Sequence, residues 1–460
     1  MWQAKPAEGP GWSRRAFLSA SAAALSACRT AESRPNIVVL FADDLGYGDL
    51  GCFGAHDIRT PRLDRLASQG VRLTNHLVAA PVCSPSRAGL LTGRYPARVG
   101  IEGVLRDHHD ELPFPDSEQT LAERLRQGGY ATALIGKWHL GMSPESRPNR
   151  RGFDYFWGFL NGTIDYFTHE SRGGGWTGRP ALFRNDEPIK AEGYFPELLQ
   201  EEAVRWIEAD HDRPFFLYAS FALPHTPLQA PPRWLDEYAG LEDQSRATYA
   251  AMVSCLDDGV GRILDALDRK GLAENTLVLF LSDHGWARLG GRRHDSSAGD
   301  NGPFQGGKYE LTEGGLRTPC IVRWPGRIQP GVASRELTWT LDWFPTLAGL
   351  AGAPDLPRNP LDGRDIAPAL TDGAEIPERT LYWRFADDVV KTPFSLAARR
   401  GAWKYLRVGE TERLFDLEAD PGERNDLAAA EPQRFAELRA AAERWNQSMG
   451  PWDWVSRSPA

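Results

Sequence analysis

The chain has 460 residues, and 53 Lys and Arg stand against 62 Asp and Glu, a net charge of -9 with histidine neutral. That balance argues against a nucleic-acid binder, whose footprint is a basic face, so an anionic ligand has to be held by a few local cations. The length suits one large α/β domain with a smaller appendage, and five cysteines without metal-type spacing (28, 52, 83, 255 and 320) exclude a disulfide-dense scaffold.

The first segment, Ser13-Arg14-Arg15-Ala16-Phe17-Leu18, resembles a twin-arginine export motif and leads into a mild apolar stretch ending at Ala27. At about a dozen residues that stretch falls short of the roughly 20 a spanning helix needs, and it reads as a removable signal over 1–33. Leu25-Ser26-Ala27-Cys28 resembles a lipobox in which Cys28 would carry lipid, the one expected link to a membrane, while Ala22-Ala23-Ala24 also suits ordinary signal-peptidase cleavage. Either way the expectation is an exported protein of the periplasm or cell surface.

From Asn36 to Ala42 the chain is continuously apolar and rich in β-branched residues, the pattern of a strand buried on both faces of a parallel sheet. It delivers Asp43 and Asp44 at its end, where ligands gather in open α/β sheets; an Asp-Asp turn before Leu45-Gly46-Tyr47-Gly48 is the alternative. Pro61 to Gly70 has helical periodicity. Cys83-Ser84-Pro85-Ser86-Arg87 follows, continued by Ala88-Gly89-Leu90-Leu91-Thr92-Gly93-Arg94; alone, Cys83 reads equally as an inert buried thiol. Cys52 is read as packing.

A helix-like Leu121 to Gln127 precedes a strand over Tyr130 to Gly136, which runs into Lys137-Trp138-His139-Leu140-Gly141. A loop from Arg147 to Thr168 holds Arg150, Arg151 and an aromatic run, Phe153 to Phe159, expected to pack. After a helix over Leu198 to Asp210, the strand Phe215 to Ala222 leads to Pro224-His225-Thr226-Pro227. A long helix over Asp243 to Lys270 precedes the strand Thr276 to Leu281, which ends in Ser282-Asp283-His284-Gly285. The loop Ala287 to Phe304, with Arg288, Arg292, Arg293 and His294, reads either as a substrate-facing basic loop or as a solvated one. Gly306-Gly307-Lys308 and Glu313-Gly314-Gly315-Leu316-Arg317-Thr318-Pro319 come next.

A helix over Leu341 to Gly352 and a Pro- and Gly-rich passage to Gly373 close the first part, predicted as a catalytic domain over 34–373. A subdomain over 374–460 follows, with short antiparallel strands at Thr380–Phe385, Phe394–Arg400, Trp403–Val408 and Arg413–Asp416 and a helix over Pro432–Gln447. The alternation predicts an α/β fold: a large mixed, mostly parallel sheet sandwiched by helices, with a smaller C-terminal antiparallel sheet plus helix.

Three aspartates and an oxygen-rich shell favour a hard divalent cation. Together, in order, the Asp-Asp pair, the Cys-x-Pro-x-Arg segment, GKWHLG, PHTP, SDHG and the GGK and EGG-x-R-x-P pair resemble the type I, formylglycine-dependent sulfatases of the alkaline phosphatase superfamily, and Leu414 to Leu427 matches their C-terminal part. The resemblance implies that Cys83 is oxidised to formylglycine by a generating maturase, aerobic or radical, and becomes nucleophile and metal ligand. It implies one calcium on Asp43, Asp44, Asp283, His284 and residue 83. Arg87 would orient residue 83; Lys137 and Lys308 would grip the sulfate. His225, with Lys308, would protonate the leaving alcohol, His139 would accept the proton that releases sulfate, and Asp283 would help deprotonate the attacking hydroxyl. The implied substrate is an organic sulfate monoester, an aryl sulfate or sulfated carbohydrate. A phosphonate or phosphate ester hydrolase of the same superfamily, and a non-catalytic calcium-containing binder of sulfated glycans, are the alternatives.

Overall fold

The computed structural model describes residues 34–106, 114–172, 177–287, 298–353, 358–452 and 454. The export motif, Cys28, and Arg288, Arg292, Arg293 and His294 lie outside the described residues.

Ten strands form one sheet: β1 (Asn36–Asp43), β2 (Val71–Leu73), β3 (Ala131–Lys137), β4 (Tyr155–Phe159), β5 (Leu182–Arg184), β6 (Glu187–Pro188), β7 (Phe215–Pro224), β8 (Thr276–Ser282), β9 (Cys320–Arg323) and β10 (Val332–Ser334). Their order is β10-β2-β9-β8-β1-β7-β3-β4-β5-β6. The five central strands, β8 to β4, run parallel, and antiparallel pairings at β9 and β5 make the sheet mixed.

The central strands read as unbroken apolar runs because helices cover both faces. Alternate residues of β1 divide between them. Val38, Leu40 and Ala42 pack with helices α1 (Pro61–Ser68), α4 (Phe195–Glu208) and α5 (Gln244–Arg269). Ile37, Val39 and Phe41 pack with α2 (Cys83–Thr92), α3 (Leu121–Gln127) and α6 (Trp343–Leu350). Thr120 caps α3 with a capping box closed by Glu123, and Asp243 caps α5 by accepting from Ser245 N and Arg246 N.

Four strands, β11 (Thr380–Asp387), β12 (Thr392–Arg400), β13 (Trp403–Val408) and β14 (Thr411–Asp416), form a separate antiparallel sheet. Leu396 and Ala398 face helix α7 (Pro432–Ser448), whereas Ala397 between them faces Leu77, Val78 and Trp339, the two-residue alternation of a sheet buried on both sides.

The aromatic run packs as expected, but the segment read as a loop from Arg147 to Thr168 contains a strand, β4, where Phe156, Trp157 and Phe159 are buried on alternate faces; Arg151 is buried too and pairs with Asp116, while Arg150 is exposed. In the Pro- and Gly-rich passage Asp362 accepts from Tyr95 N at 3.0 Å and from Arg98 Nε at 3.1 Å. Among the described residues Cys52, Cys83, Cys255 and Cys320 are free thiols, and Cys52 packs at the edge of the core.

Candidate active site

Every charged residue singled out from the strand ends arrives at one place. Asp43 ends β1, Lys137 ends β3, His225 follows β7, and Asp283 and His284 follow β8. Because parallel strands point the same way, their carboxyl ends collect these side chains at one edge of the sheet. Lys308 joins from the loop that docks against β8. Gly285 makes this docking close, for a Cβ there would lie 1.8 Å from the Gly314 carbonyl oxygen.

Cys83 is the first residue of α2, a helix buried along its whole length. Pro85 is tolerated in the first turn, where no intrahelical N–H is needed. Ser86 and Arg87 lock the helix to the site: Ser86 Oγ donates to the Asp283 carbonyl at 2.6 Å, and Arg87 Nη1 donates to Ser220 Oγ at 2.7 Å. Nη2 of Arg87 reaches Asp283 at 3.2 Å and Asp43 at 3.4 Å, and its guanidinium lies over the Phe41 ring. Held so, Arg87 bridges two carboxylates with one charge.

Five donor groups, Asp43, Asp44, Cys83, Asp283 and His284, place one ligand atom each within 4.8 Å of one another, all buried. Two ligands facing each other across a calcium ion at about 2.4 Å are about 4.8 Å apart, so the cluster has the dimensions of a metal site. Oδ1 of Asp43 is buried with no hydrogen bond among the described residues, Arg87 Nη2 standing 3.4 Å from it, an acceptor with capacity left for a metal ion. The residues present therefore fit a metal ion.

Electrostatics lead the same way. Three buried carboxylates meet three cations: Lys137 Nζ is 2.6 Å from Asp43 Oδ2, Lys308 Nζ is 2.8 Å from Asp44 Oδ1, and Arg87 lies between Asp43 and Asp283. Burial, with Asp43 and Cys83 alongside, pushes Asp283 up to about 7. Against burial, Lys137 holds Asp43 and Lys308 holds Asp44 below the usual carboxylate range. His284, 3.1 Å from Asp44 and 3.4 Å from the Cys83 sulfur, is drawn up to about 9 against its burial by Asp283 and Asp44. Since Arg87, Lys137 and Lys308 already match the three carboxylates, a divalent cation held there would make the centre positive, the sign an anionic ester needs.

Lys137 and Lys308 also bear on Cys83, drawing its thiol well below the ordinary value despite burial; Lys308 Nζ is 3.7 Å from the sulfur. His139 Nε2 donates to the Leu105 carbonyl at 2.8 Å. A carbonyl only accepts, so Nε2 carries the proton and Nδ1 is left as the basic nitrogen. Burial and the Lys137 charge lower His139 to about 4, which keeps it neutral and able to take a proton. His225 donates from Nδ1 to Thr226 O at 2.6 Å and turns Nε2 toward Asp44 Oδ2, 3.7 Å away. Its side chain is 13% exposed against 0–2% for Asp44, Arg87, Lys137, Asp283, His284 and Lys308, so among them it stands nearest to solvent.

The geometry agrees with what this chain is similar to. The Sulfatase family model matches residues 35–353, and the model for N-sulphoglucosamine sulphohydrolase, C-terminal, matches residues 302–444. The chain belongs to the sulfatase family. As such it is a sulfuric ester hydrolase, acting on sulfate esters. Steryl-sulfatase of Mus musculus is 36% identical to it over 88% of this chain and 80% of its own length. N-acetylgalactosamine-6-sulfatase of Canis lupus familiaris is 33% identical over 92% of this chain and 87% of its own. The crystal structure of Ps i-CgsB in complex with k-i-k-neocarrahexaose superposes with a TM-score of 0.84 at 32% identity, covering 90% of this sulfatase and 93% of that chain. The phosphonate monoester hydrolase of Agrobacterium radiobacter, at a TM-score of 0.64 and 21% identity, covers 90% of this chain and 95% of its own and shares the fold alone.

Several parts of the sulfatase site escaped the sequence reading. Ser84 and Ser86 stand inside the quoted segment but show their parts only in three dimensions, Ser84 Oγ accepting from Leu105 N at 3.0 Å. Ser220 is an inward residue of β7 whose polarity amid Phe215 to Ala222 was the available signal. The Leu105 carbonyl, being backbone, leaves no trace in sequence.

Proposed function

We propose that this sulfatase hydrolyses an aryl sulfate or sulfated carbohydrate monoester to alcohol and inorganic sulfate, with residue 83 carried as formylglycine and one calcium ion held by Asp43, Asp44, Asp283, His284 and residue 83. The observation carrying this reading is the place of Cys83: heading a buried helix, 3.4 Å from His284 and 3.7 Å from Lys308, inside a five-donor cluster. Formylglycine supplies a hydrated aldehyde, one hydroxyl of which attacks sulfur while the other later expels sulfate. Calcium supplies positive charge that lowers the pKa of the attacking hydroxyl.

The chain's own residues do the rest. Arg87 fixes the direction of residue 83 through Ser220 and Asp283. Lys137 and Lys308 place fixed positive charge where the sulfate oxygens gain negative charge. His225, the outermost of the set, donates from Nε2 to the departing alcohol oxygen as an imidazolium, Nδ1 keeping its proton on the bond to Thr226 O. His139 accepts a proton at Nδ1 when sulfate leaves.

A carbohydrate substrate is supported by the relatives named for N-acetylgalactosamine-6-sulfate and by the neocarrahexaose complex of the similar structure. Export rests on the Ser13–Leu18 and Leu25–Cys28 motifs, and a twin-arginine route, which carries folded cargo, suits an enzyme oxidised in the cytoplasm by its maturase. The test is turnover of 4-nitrophenyl sulfate and of a panel of sulfated oligosaccharides by protein coexpressed with a maturase. Inorganic sulfate should be released by the wild type and not by Cys83→Ala. Equal release by both would end the proposal. A C28S variant that no longer takes up labelled palmitate would establish the lipid anchor; equal labelling would exclude it.

A further inference from the structure

We propose that the C-terminal sheet is part of the catalytic apparatus, with the Arg106–Asp387 ion pair positioning His139 through the backbone of Leu105. This rests on the reading of His139 as a proton acceptor.

The segment Ile101–Arg106 has neither helix nor strand of its own, yet it touches the site twice through one residue. Leu105 N donates to Ser84 Oγ, beside Cys83, and Leu105 O accepts from His139 Nε2. Those two bonds determine which imidazole nitrogen keeps its proton and where the other one points. Nδ1 is buried beside the Cys83 thiol without a hydrogen bond of ordinary geometry among the described residues. His139 itself has a left-handed backbone, φ 58°, and its ring is backed by Gly162, where a Cβ would lie 2.7 Å from Nε2. A ring so placed has little freedom except along the direction Leu105 defines.

The residues flanking Leu105 are held in turn at three points, two of them on the C-terminal sheet. Arg106 Nη2 donates to both oxygens of Asp387, at 2.8 and 3.2 Å, and Asp387 is the last residue of β11. Arg384, three residues earlier on that strand, pairs with Glu102 through Nε at 2.6 Å and Nη2 at 2.8 Å. Between these anchors Gly103 lies against the Trp454 indole, where a Cβ would come within 2.1 Å of Nε1. The two ion pairs have opposite polarity along the segment, Glu102 to Arg384 and Arg106 to Asp387, so a shift of register along β11 would set like charges together. Asp387 is 3% exposed and its Oδ1 also accepts from Val389 N at 2.8 Å and Val390 N at 3.0 Å, so the carboxylate is fixed on its own turn and its charge-assisted bond to Arg106 ties the residue after Leu105 to that fixed point.

The test uses full-length, matured protein and 4-nitrophenyl sulfate. Asp387→Asn and Arg106→Met should each lower kcat about tenfold with KM within about twofold, the mark of a displaced catalytic group and not of a lost substrate contact. Asp387→Glu, which keeps the charge, should recover most of the loss. In a His139→Ala background Asp387→Asn should change kcat by less than about twofold, because the pair acts through the missing ring. An unchanged kcat in both single variants, a rise in KM alone, or the same kcat loss with and without His139 would overturn the proposal. If His139→Ala is inactive, the division between kcat and KM in the single variants decides. If Asp387→Asn does not fold, Arg106→Met and Arg106→Gln, which remove the charge from the other side of the pair, are measured by the same criteria. Wild-type turnover by His139→Ala would instead refute the role of His139 and leave the ion pair with a structural part only.

Discussion

Lys137 Nζ lies 2.6 Å from Asp43 Oδ2, and the two residues end strands that are not neighbours, since β7 runs between β1 and β3. The lysine thus reaches across a strand to hold its charge at the centre. Lys137→Ala is expected to lower kcat/KM by about 10²–10³, the loss seen when one fixed charge or donor is removed from a preorganised site. Lys137→Arg should restore little, for the buried space suits a point charge and not a planar fork. Steady-state kinetics on an aryl sulfate check this; a loss under threefold would remove Lys137 from the chemistry.

Metal removal should be felt in both activity and stability. A ligand bound only by the folded state adds about 2.7 kcal/mol at a free concentration one hundred times its Kd. Elemental analysis should find one calcium per chain, and EGTA should abolish turnover and lower Tm. In Asp43→Asn, which removes the carboxylate whose Oδ1 makes no hydrogen bond among the described residues, calcium should no longer raise Tm. An EGTA-insensitive Tm in the wild type would count against the ion.

The buried ion cluster joining the two sheets offers a stability test. Glu313 accepts from Arg317, Arg399 and Lys404, and Lys404 bridges to Glu423 Oε1 at 2.8 Å. Removing one partner leaves an uncompensated buried charge, so Lys404→Met should cost about 3–5 kcal/mol of stability. Against its burial, Arg399 and Lys404 hold Glu313 far below the usual carboxylate range. This contribution is complete above the unfolded value near 4.3 and is lost as pH falls below it. Denaturant titration of the variant at pH 7 and pH 4 should show the deficit shrinking at the lower pH; an equal deficit at both would contradict it.

His76 sets a second pH dependence, from a neutral group. It is fully buried, its Nδ1 is 3.1 Å from Thr338 Oγ1, and burial alone lowers it to about 3. Between about 6.5 and 3 the unfolded chain binds a proton that the folded chain refuses, so stability is retained above 6.5 and declines as pH falls through that window. His76→Gln should flatten the Tm profile there. An unaltered slope would show that His76 titrates equally in both states.

Legibility in the sequence followed the way each feature is encoded. Strands β1, β3, β7 and β8 were visible because burial on both faces makes each a continuous apolar run, and the polar residues after each run were the site itself. Helix α2 was hidden, since a helix buried all round carries no amphipathic period and its Ser84-Pro85-Ser86 start resembles a turn. Strands of three residues, such as β2 and β10, are too short for any alternation to register. Residues that act through the backbone or through a partner far along the chain, Leu105 and Asp387 above all, could be found only once the fold had brought them together.

The nature of residue 83 is the central claim, and the mass of the tryptic peptide from Leu73 to Arg87, taken from protein purified out of its own host, tests it most directly. Fragmentation should place an aldehyde in place of the thiol at residue 83. An unmodified thiol in every molecule, from cells whose maturase demonstrably converts a control peptide, would contradict the formylglycine mechanism.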